Sequence, residues 1–162
     1  MALEGTPVEI GDHAPEFTLR DHHNVEISLS TMHGRAVLLV FYPLAFTGVC
    51  SGELTLIQSE IAAFQNERTQ VVAISVDSPY SLRAFADREG LQFPLLSDFW
   101  PHGAVARSYG VFDSVAGVAT RATFLIDATG VVRWKVLSDL GHPRNQADYH
   151  AALANLYAAE FA

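Results

Sequence analysis

The chain has 162 residues, of which 49% are hydrophobic, and a formal net charge of −8 at pH 7. A chain of this length can bury about 70% of its unfolded surface, so we expect one domain over residues 1–162. The acidic balance argues against nucleic acid or an anionic membrane as the main partner. Because Cys50 is the single cysteine, an internal disulfide, a Cys-x-x-Cys redox pair and a multi-cysteine zinc site are excluded.

The start of the chain, residues 1–5, lacks the basic and apolar segments of a signal peptide. No apolar run approaches the roughly 18 residues that a transmembrane helix needs. We therefore expect a cytoplasmic protein without a membrane partner. The seven histidines show no spacing typical of metal ligands, so no metal site is predicted.

The first half of the chain predicts a hairpin followed by two strand–helix units. Apolar and polar residues alternate over 17–19 and 25–29 around a turn-like segment, which predicts the hairpin, and Ser30 is suited to cap a single helical turn. The apolar runs 36–42 and 71–76 predict strands buried on both faces. An apolar stripe predicts a helix from Val49 to about Gln65. Ser78-Pro79 predicts the start of a second helix, which ends near Glu89 at Gly90.

The second half predicts a short strand over 93–98, a short helix over 103–108, a hairpin and a last helix. Residues 122–126 and 131–136 flank Asp127-Ala128-Thr129-Gly130, which is a hairpin signal. The last helix spans about Gln146 to Ala159. This order predicts an α/β, thioredoxin-like fold with a mixed central sheet flanked by helices and an N-terminal hairpin extension.

Cys50 stands where the first buried strand turns into the first long helix. The unpaired N–H groups of a helix's first turn and the helix dipole stabilise a thiolate over a thiol. A lone cysteine can also be a small buried hydrophobe without chemistry. The pattern Pro43-x-x-x-Thr47-x-x-Cys50 fixes three residue types at this junction, and it favours the reactive thiol.

Several motifs of this chain resemble those of the peroxiredoxins. They are the Pro43, Thr47 and Cys50 pattern, and Arg121 within residues 120–124. Segments 14–19 and 94–98 are similar to further motifs of the family. Segments 41–50 and 97–105 together resemble its one-cysteine branch, the alkyl hydroperoxide reductase E-like proteins.

The resemblance implies a thiol peroxidase that acts on hydrogen peroxide and organic hydroperoxides, with peroxynitrite as a further candidate. Cys50 would attack the peroxide and become a sulfenic acid. Thr47 would hydrogen-bond the thiolate and the peroxide, Pro43 would shield the thiol, and Arg121 would supply fixed donors and charge. No cofactor is implied.

Because a second cysteine is absent, the reductant must be an outside thiol. Two kinds are open: a low-molecular-weight thiol, or a glutaredoxin- or thioredoxin-like protein. The resemblance also implies a homodimer that pairs through surface near the active site.

Each residue that accompanies Cys50 also has a structural explanation. Thr47 alone suits a helix N-cap, Pro43 a loop, and Arg121 a structural ion pair. Glu53 either orients an arginine near the site or is an acidic residue favoured by the helix dipole.

Phe46 and Trp100 have three explanations: they form walls of a substrate pocket, they lie in a dimer contact, or they pack in the core. For each residue taken singly, core packing is favoured.

Two other functions remain open at this stage. The protein could be a peroxide-sensing redox protein that signals through oxidised Cys50 instead of turning over. It could also be a thiol–disulfide oxidoreductase of the same fold, although the missing Cys-x-x-Cys motif argues against this.

Overall fold

A mixed seven-stranded sheet forms the centre of the fold in the computed structural model, which describes residues 2–160. The sheet order is β2-β1-β5-β4-β3-β8-β9, and β6 pairs with β7 in a separate hairpin. The strands are β1 (Thr18–Asp21), β2 (Glu26–Ser28), β3 (Ala36–Phe41), β4 (Thr69–Ser75), β5 (Leu95–Ser97), β6 (Phe112–Asp113), β7 (Val118–Ala119), β8 (Arg121–Ile126) and β9 (Val132–Ser138).

Five α-helices and one short 3-10 helix complete the described part of the chain. The 3-10 helix is Leu29–Met32, and the α-helices are α1 (Gly48–Ser59), α2 (Ile61–Phe64), α3 (Pro79–Glu89), α4 (Ala104–Ser108) and α5 (Gln146–Glu160). Within residues 2–160, no helix has the length and apolar character needed to cross a membrane.

The central strands bury both of their faces. β3 runs parallel to β4, β4 runs parallel to β5, and β8 lies antiparallel to β3. Every residue of β3, β4 and β8 is buried. Because side chains alternate along a strand, Leu38 and Val40 join one apolar core while Leu39 and Phe41 join the other. The sheet therefore separates two hydrophobic cores.

The structure confirms the predicted thioredoxin-like fold with its mixed sheet and its N-terminal hairpin, β1–β2. The predicted start and end of α3 are also correct. The Ser78 hydroxyl accepts a hydrogen bond from the backbone N–H of Ser81 at 3.2 Å. Gly90 ends the helix with φ 68°, a left-handed conformation that glycine adopts without strain.

The predicted single helix from Val49 to Gln65 is wrong. The chain breaks at Glu60, where φ is −122° and ψ is 31°, so that α1 and α2 are separate helices. After this break Phe64 is fully buried, with its ring edge-on to Tyr149 at a centroid distance of 6.2 Å. The β6–β7 hairpin was not predicted either.

The topology brings the end of β3 to the beginning of β8. In this antiparallel pair Phe41 lies opposite Ala122. Arg121, the first residue of β8, is therefore next to the loop that leaves β3 and enters α1. Residues that follow the parallel neighbour β4 reach the same edge of the sheet.

Candidate active site

Cys50 lies in the first turn of α1 and is fully buried. It is the third residue of the helix, after Gly48 and Val49, and Thr47 is the N-cap. Its side chain belongs to the hydrophobic core that contains Tyr42 and Leu54. The first backbone N–H groups of a helix have no partner within it, so Cys50 lies at a helix end that favours negative charge.

Arg121 contacts the sulfur of Cys50 directly. Its Nη1 is 3.2 Å from Cys50 Sγ. The guanidinium is fixed at its other end, because Nε donates to the carbonyl oxygen of Leu140 at 3.0 Å. Only 3% of the Arg121 side chain is exposed. A buried, immobilised cation thus faces the thiol.

Glu53 lies one helical turn after Cys50 and connects two arginines. Its Oε1 accepts from Arg121 Nη1 at 2.7 Å and from Arg144 Nη2 at 2.9 Å. Its Oε2 accepts from the backbone N–H and from Nε of Arg144, at 2.7 and 2.9 Å. Burial by itself would raise the pKa of Glu53. The hydrogen bonds and charge of Arg144, together with the charge of Arg121, outweigh burial and lower that pKa, so the carboxylate stays ionised.

Sequence reasoning missed Arg144, which is the second arginine of this cluster. Its Nη1 donates to the carbonyl oxygen of Phe41 at 2.7 Å and to the Thr123 hydroxyl at 3.1 Å. The arginine therefore ties the loop after β9 to the end of β3 and to β8. In the sequence it stands alone between Pro143 and Asn145, with no motif to mark it.

Thr47 and Pro43 lie in the loop before Cys50. The Thr47 hydroxyl donates to the carbonyl oxygen of Leu44 at 2.8 Å, and its side chain makes no capping hydrogen bond to α1. The single donor of this hydroxyl is thus taken by Leu44 and does not reach the Cys50 sulfur, so the expected hydrogen bond from Thr47 to the thiolate is not made here, while the oxygen lone pairs stay available to accept. Pro43 is buried beside the end of β3.

The preference for core packing at Phe46 and Trp100 is wrong, because 43% of Phe46 and 81% of Trp100 is exposed. Phe46 lies in the Cys50 loop with φ 69°, a left-handed backbone that is unusual for a bulky residue. Trp100 borders a separate surface cavity of about 290 Å³, which Arg20, Glu26 and Phe99 also line. The structure brings Glu53 and Arg121 to Cys50, but it places Trp100 in this other cavity.

A thioredoxin-like fold with a buried, arginine-paired cysteine at a helix N-terminus defines a class of thiol-based redox proteins. The model of the AhpC/TSA family matches residues 10–135. The chain therefore belongs to the AhpC/TSA family of peroxiredoxins, and it carries a single cysteine. The family predicted from the motifs is confirmed.

Curated relatives and solved structures agree with this assignment. The chain is 45% identical over 152 residues to alkyl hydroperoxide reductase E of Mycobacterium tuberculosis, a match that covers 93% of this chain and 99% of the relative. It is 39% identical over 143 residues to peroxiredoxin tpx1 of Schizosaccharomyces pombe, covering 82% and 73%. The crystal structure of Enterococcus faecalis AhpC matches with a TM-score of 0.85 and 30% identity, covering 93% of this chain and 94% of that one.

Proposed function

We propose that this protein is a one-cysteine thiol peroxidase that reduces hydrogen peroxide and organic hydroperoxides, with peroxynitrite as a further substrate. One observation carries the proposal: the 3.2 Å contact between Arg121 Nη1 and Cys50 Sγ at the start of α1. The name of the M. tuberculosis relative, an alkyl hydroperoxide reductase, supports the substrate class.

In the proposed reaction the Cys50 thiolate attacks one peroxide oxygen. An S–O bond forms and the O–O bond breaks. The leaving oxygen takes a proton and departs as water or an alcohol, or it departs as nitrite where the substrate is peroxynitrite. Cys50 is oxidised to a sulfenic acid while the peroxide is reduced. Arg121 stabilises the thiolate and then the charge that develops on the peroxide oxygens. Thr47 accepts a hydrogen bond from the bound peroxide, and Pro43 shields the thiol.

The oxidised enzyme is regenerated by an outside thiol. The thiol sulfur attacks the sulfenic acid sulfur, water leaves, and a mixed disulfide forms. A second thiol then releases Cys50 and forms a disulfide with the first. A low-molecular-weight thiol or a glutaredoxin- or thioredoxin-like protein supplies these electrons, and the thiol chemistry itself calls for no metal or organic cofactor.

We also propose that the protein acts as a homodimer. Exposed apolar side chains follow the ends of three neighbouring parallel strands: Leu44 and Phe46 after β3, Tyr80 after β4, and Phe99 and Trp100 after β5. Since these ends lie at one edge of the sheet, the side chains offer an apolar surface beside the active site. Sedimentation equilibrium should give a dimer mass for the wild type and a lower mass for the double variant Phe99→Ser, Trp100→Ser. A wild-type monomer would contradict this.

The peroxidase proposal is tested by peroxide consumption. Purified protein is given hydrogen peroxide or an organic hydroperoxide together with each class of thiol reductant, and peroxide loss is followed over many turnovers. Cys50→Ser is the matched variant, because serine is nearly isosteric with cysteine and no disulfide is lost. Sustained turnover in the wild type and none in Cys50→Ser is expected. Oxidation that stops after one equivalent with every reductant would instead support a peroxide sensor.

A further inference from the structure

A carboxylate that the proposed reaction does not use holds the loop between β3 and α1. Asp77, just after β4, is half-buried. Its Oδ2 accepts a hydrogen bond from the backbone N–H of Ala45 at 2.9 Å and from the Ser75 hydroxyl at 2.7 Å. The carbonyl oxygen of Asp77 accepts from the Ser97 hydroxyl at 2.6 Å. Asp77 is thus fixed to the sheet and in turn fixes the loop that leads to Cys50.

Ala45, whose backbone N–H bonds to Asp77, is followed by Phe46, which has a strained backbone. The φ of Phe46 is 69°, and a bulky residue keeps this conformation only where its surroundings hold it in place. On one side Asp77 fixes the backbone. On the other, the Phe46 ring packs against Phe85 at a centroid distance of 5.2 Å, with the Arg88 guanidinium 4.8 Å from its centroid. Loss of either anchor should let Phe46 relax.

With the loop between β3 and α1 closed, Cys50 has no exposed surface. A small peroxide needs only a slight displacement of this loop to reach the sulfur. A thiol reductant is bulkier than a peroxide and must bring its own sulfur to the Cys50 sulfur. The loop therefore has to open after oxidation, and the strain at Phe46 favours that opening.

We propose that Asp77 is a positioning residue: it holds the Cys50 loop closed for reaction with peroxide, and weakening its bond to Ala45 opens the loop to bulky thiol-directed reagents. This inference rests on the proposed peroxidase function. Two rates therefore separate it from that function: the rate of Cys50 oxidation by hydrogen peroxide, and the rate of Cys50 alkylation by a bulky maleimide.

Asp77→Ala removes the acceptor for the Ala45 N–H. A hydrogen bond to a charged group biases such an equilibrium by roughly ten- to a hundred-fold. We expect alkylation of Cys50 to become at least about ten-fold faster, while oxidation by peroxide becomes slower or stays unchanged. Asp77→Asn keeps an oxygen that can accept from the Ala45 N–H but lacks the charge, so both rates should lie between those of Asp77→Ala and those of the wild type.

A matched control and a milder variant complete the test. Asp87→Ala removes a carboxylate that is exposed on α3, where it pairs with Arg83, and it should change neither rate. Ser75→Ala removes one partner of the Asp77 carboxylate and should raise alkylation by a smaller factor, which keeps the test open if Asp77→Ala does not fold. Circular dichroism confirms that each variant is folded.

Unchanged alkylation in folded Asp77→Ala would overturn the inference. A rise in both the alkylation rate and the oxidation rate would also overturn it, because the loop would then only block access to Cys50 and would not position it. A wild type that peroxide does not oxidise would instead refute the proposed function, and the alkylation rates would still decide whether Asp77 holds the loop.

Discussion

Arg121→Ala should slow the reaction of Cys50 with peroxide by about a hundred- to a thousand-fold. Arg121 Nη1 lies 3.2 Å from Cys50 Sγ and is held there by Glu53 and by the carbonyl oxygen of Leu140. Losing one such preorganised donor typically costs about 2.7–4 kcal/mol of transition-state stabilisation, which is this range of rates.

The rate per thiolate separates two roles of Arg121. An ordinary thiol, with a pKa of about 8.5, is roughly 3% ionised at pH 7. A return to this ionisation would slow the reaction by about thirty-fold, and burial disfavours a thiolate further. A decrease that persists when the rate is divided by the thiolate fraction therefore means that Arg121 also stabilises the charge on the peroxide oxygens.

The measurement is stopped-flow oxidation by hydrogen peroxide between pH 5 and 9, with the thiolate fraction taken from ultraviolet absorbance in the same samples. The fold should survive, because Glu53 keeps three hydrogen bonds from Arg144. The control is Arg133→Ala, which removes a half-exposed arginine paired with Asp127 on the β8–β9 hairpin. If the rate per thiolate is the same in Arg121→Ala as in the wild type, the transition-state role is wrong.

Two further predictions concern stability. Glu53→Ala leaves the buried guanidinium groups of Arg121 and Arg144 without their shared carboxylate. It should therefore lower the free energy of unfolding, measured by urea titration, by about 3–5 kcal/mol. A loss below about 1 kcal/mol would contradict this. His22 accepts a backbone hydrogen bond from Leu95 at its Nδ1, and burial together with the charge of His23 lowers the pKa of His22 below 6.5. The unfolded chain therefore takes up this proton first, so that stability is full above about pH 6.5 and falls as the pH drops from there towards the native pKa. His22→Asn, whose amide oxygen can accept the same bond without titrating, should remove this part of the pH dependence. His23→Asn, which leaves the burial of His22 in place and removes only the second cause, should reduce it in part.

The sequence was sufficient for the parts of the site that local patterns encode. Cys50 follows a buried strand and begins a helix, and both signals stand within residues 36–50. Arg121 could be found because a recognisable motif surrounds it at the start of β8. The antiparallel pairing of β3 and β8 then brings these two distant segments together.

The missed residues act through contacts that no local pattern reports. Arg144 reaches Glu53 across 91 positions of the chain, and Asp77 reaches Ala45 across 32. The break at Glu60 was missed because neither glycine nor proline marks it. It is accompanied by contacts to α5 that belong to the tertiary structure: Phe64 packs against Tyr149, and Glu60 accepts a hydrogen bond from Gln146 at 3.1 Å.

The central claim is that the Cys50 thiolate itself is the group that a hydroperoxide oxidises. Its most direct test is mass spectrometry of the wild type after one equivalent of peroxide, without reductant. The account predicts one added oxygen on the peptide that contains Cys50, trapped by a sulfenic acid reagent, and a second oxygen with excess peroxide. An unmodified Cys50 thiol after complete loss of the peroxide would contradict the account.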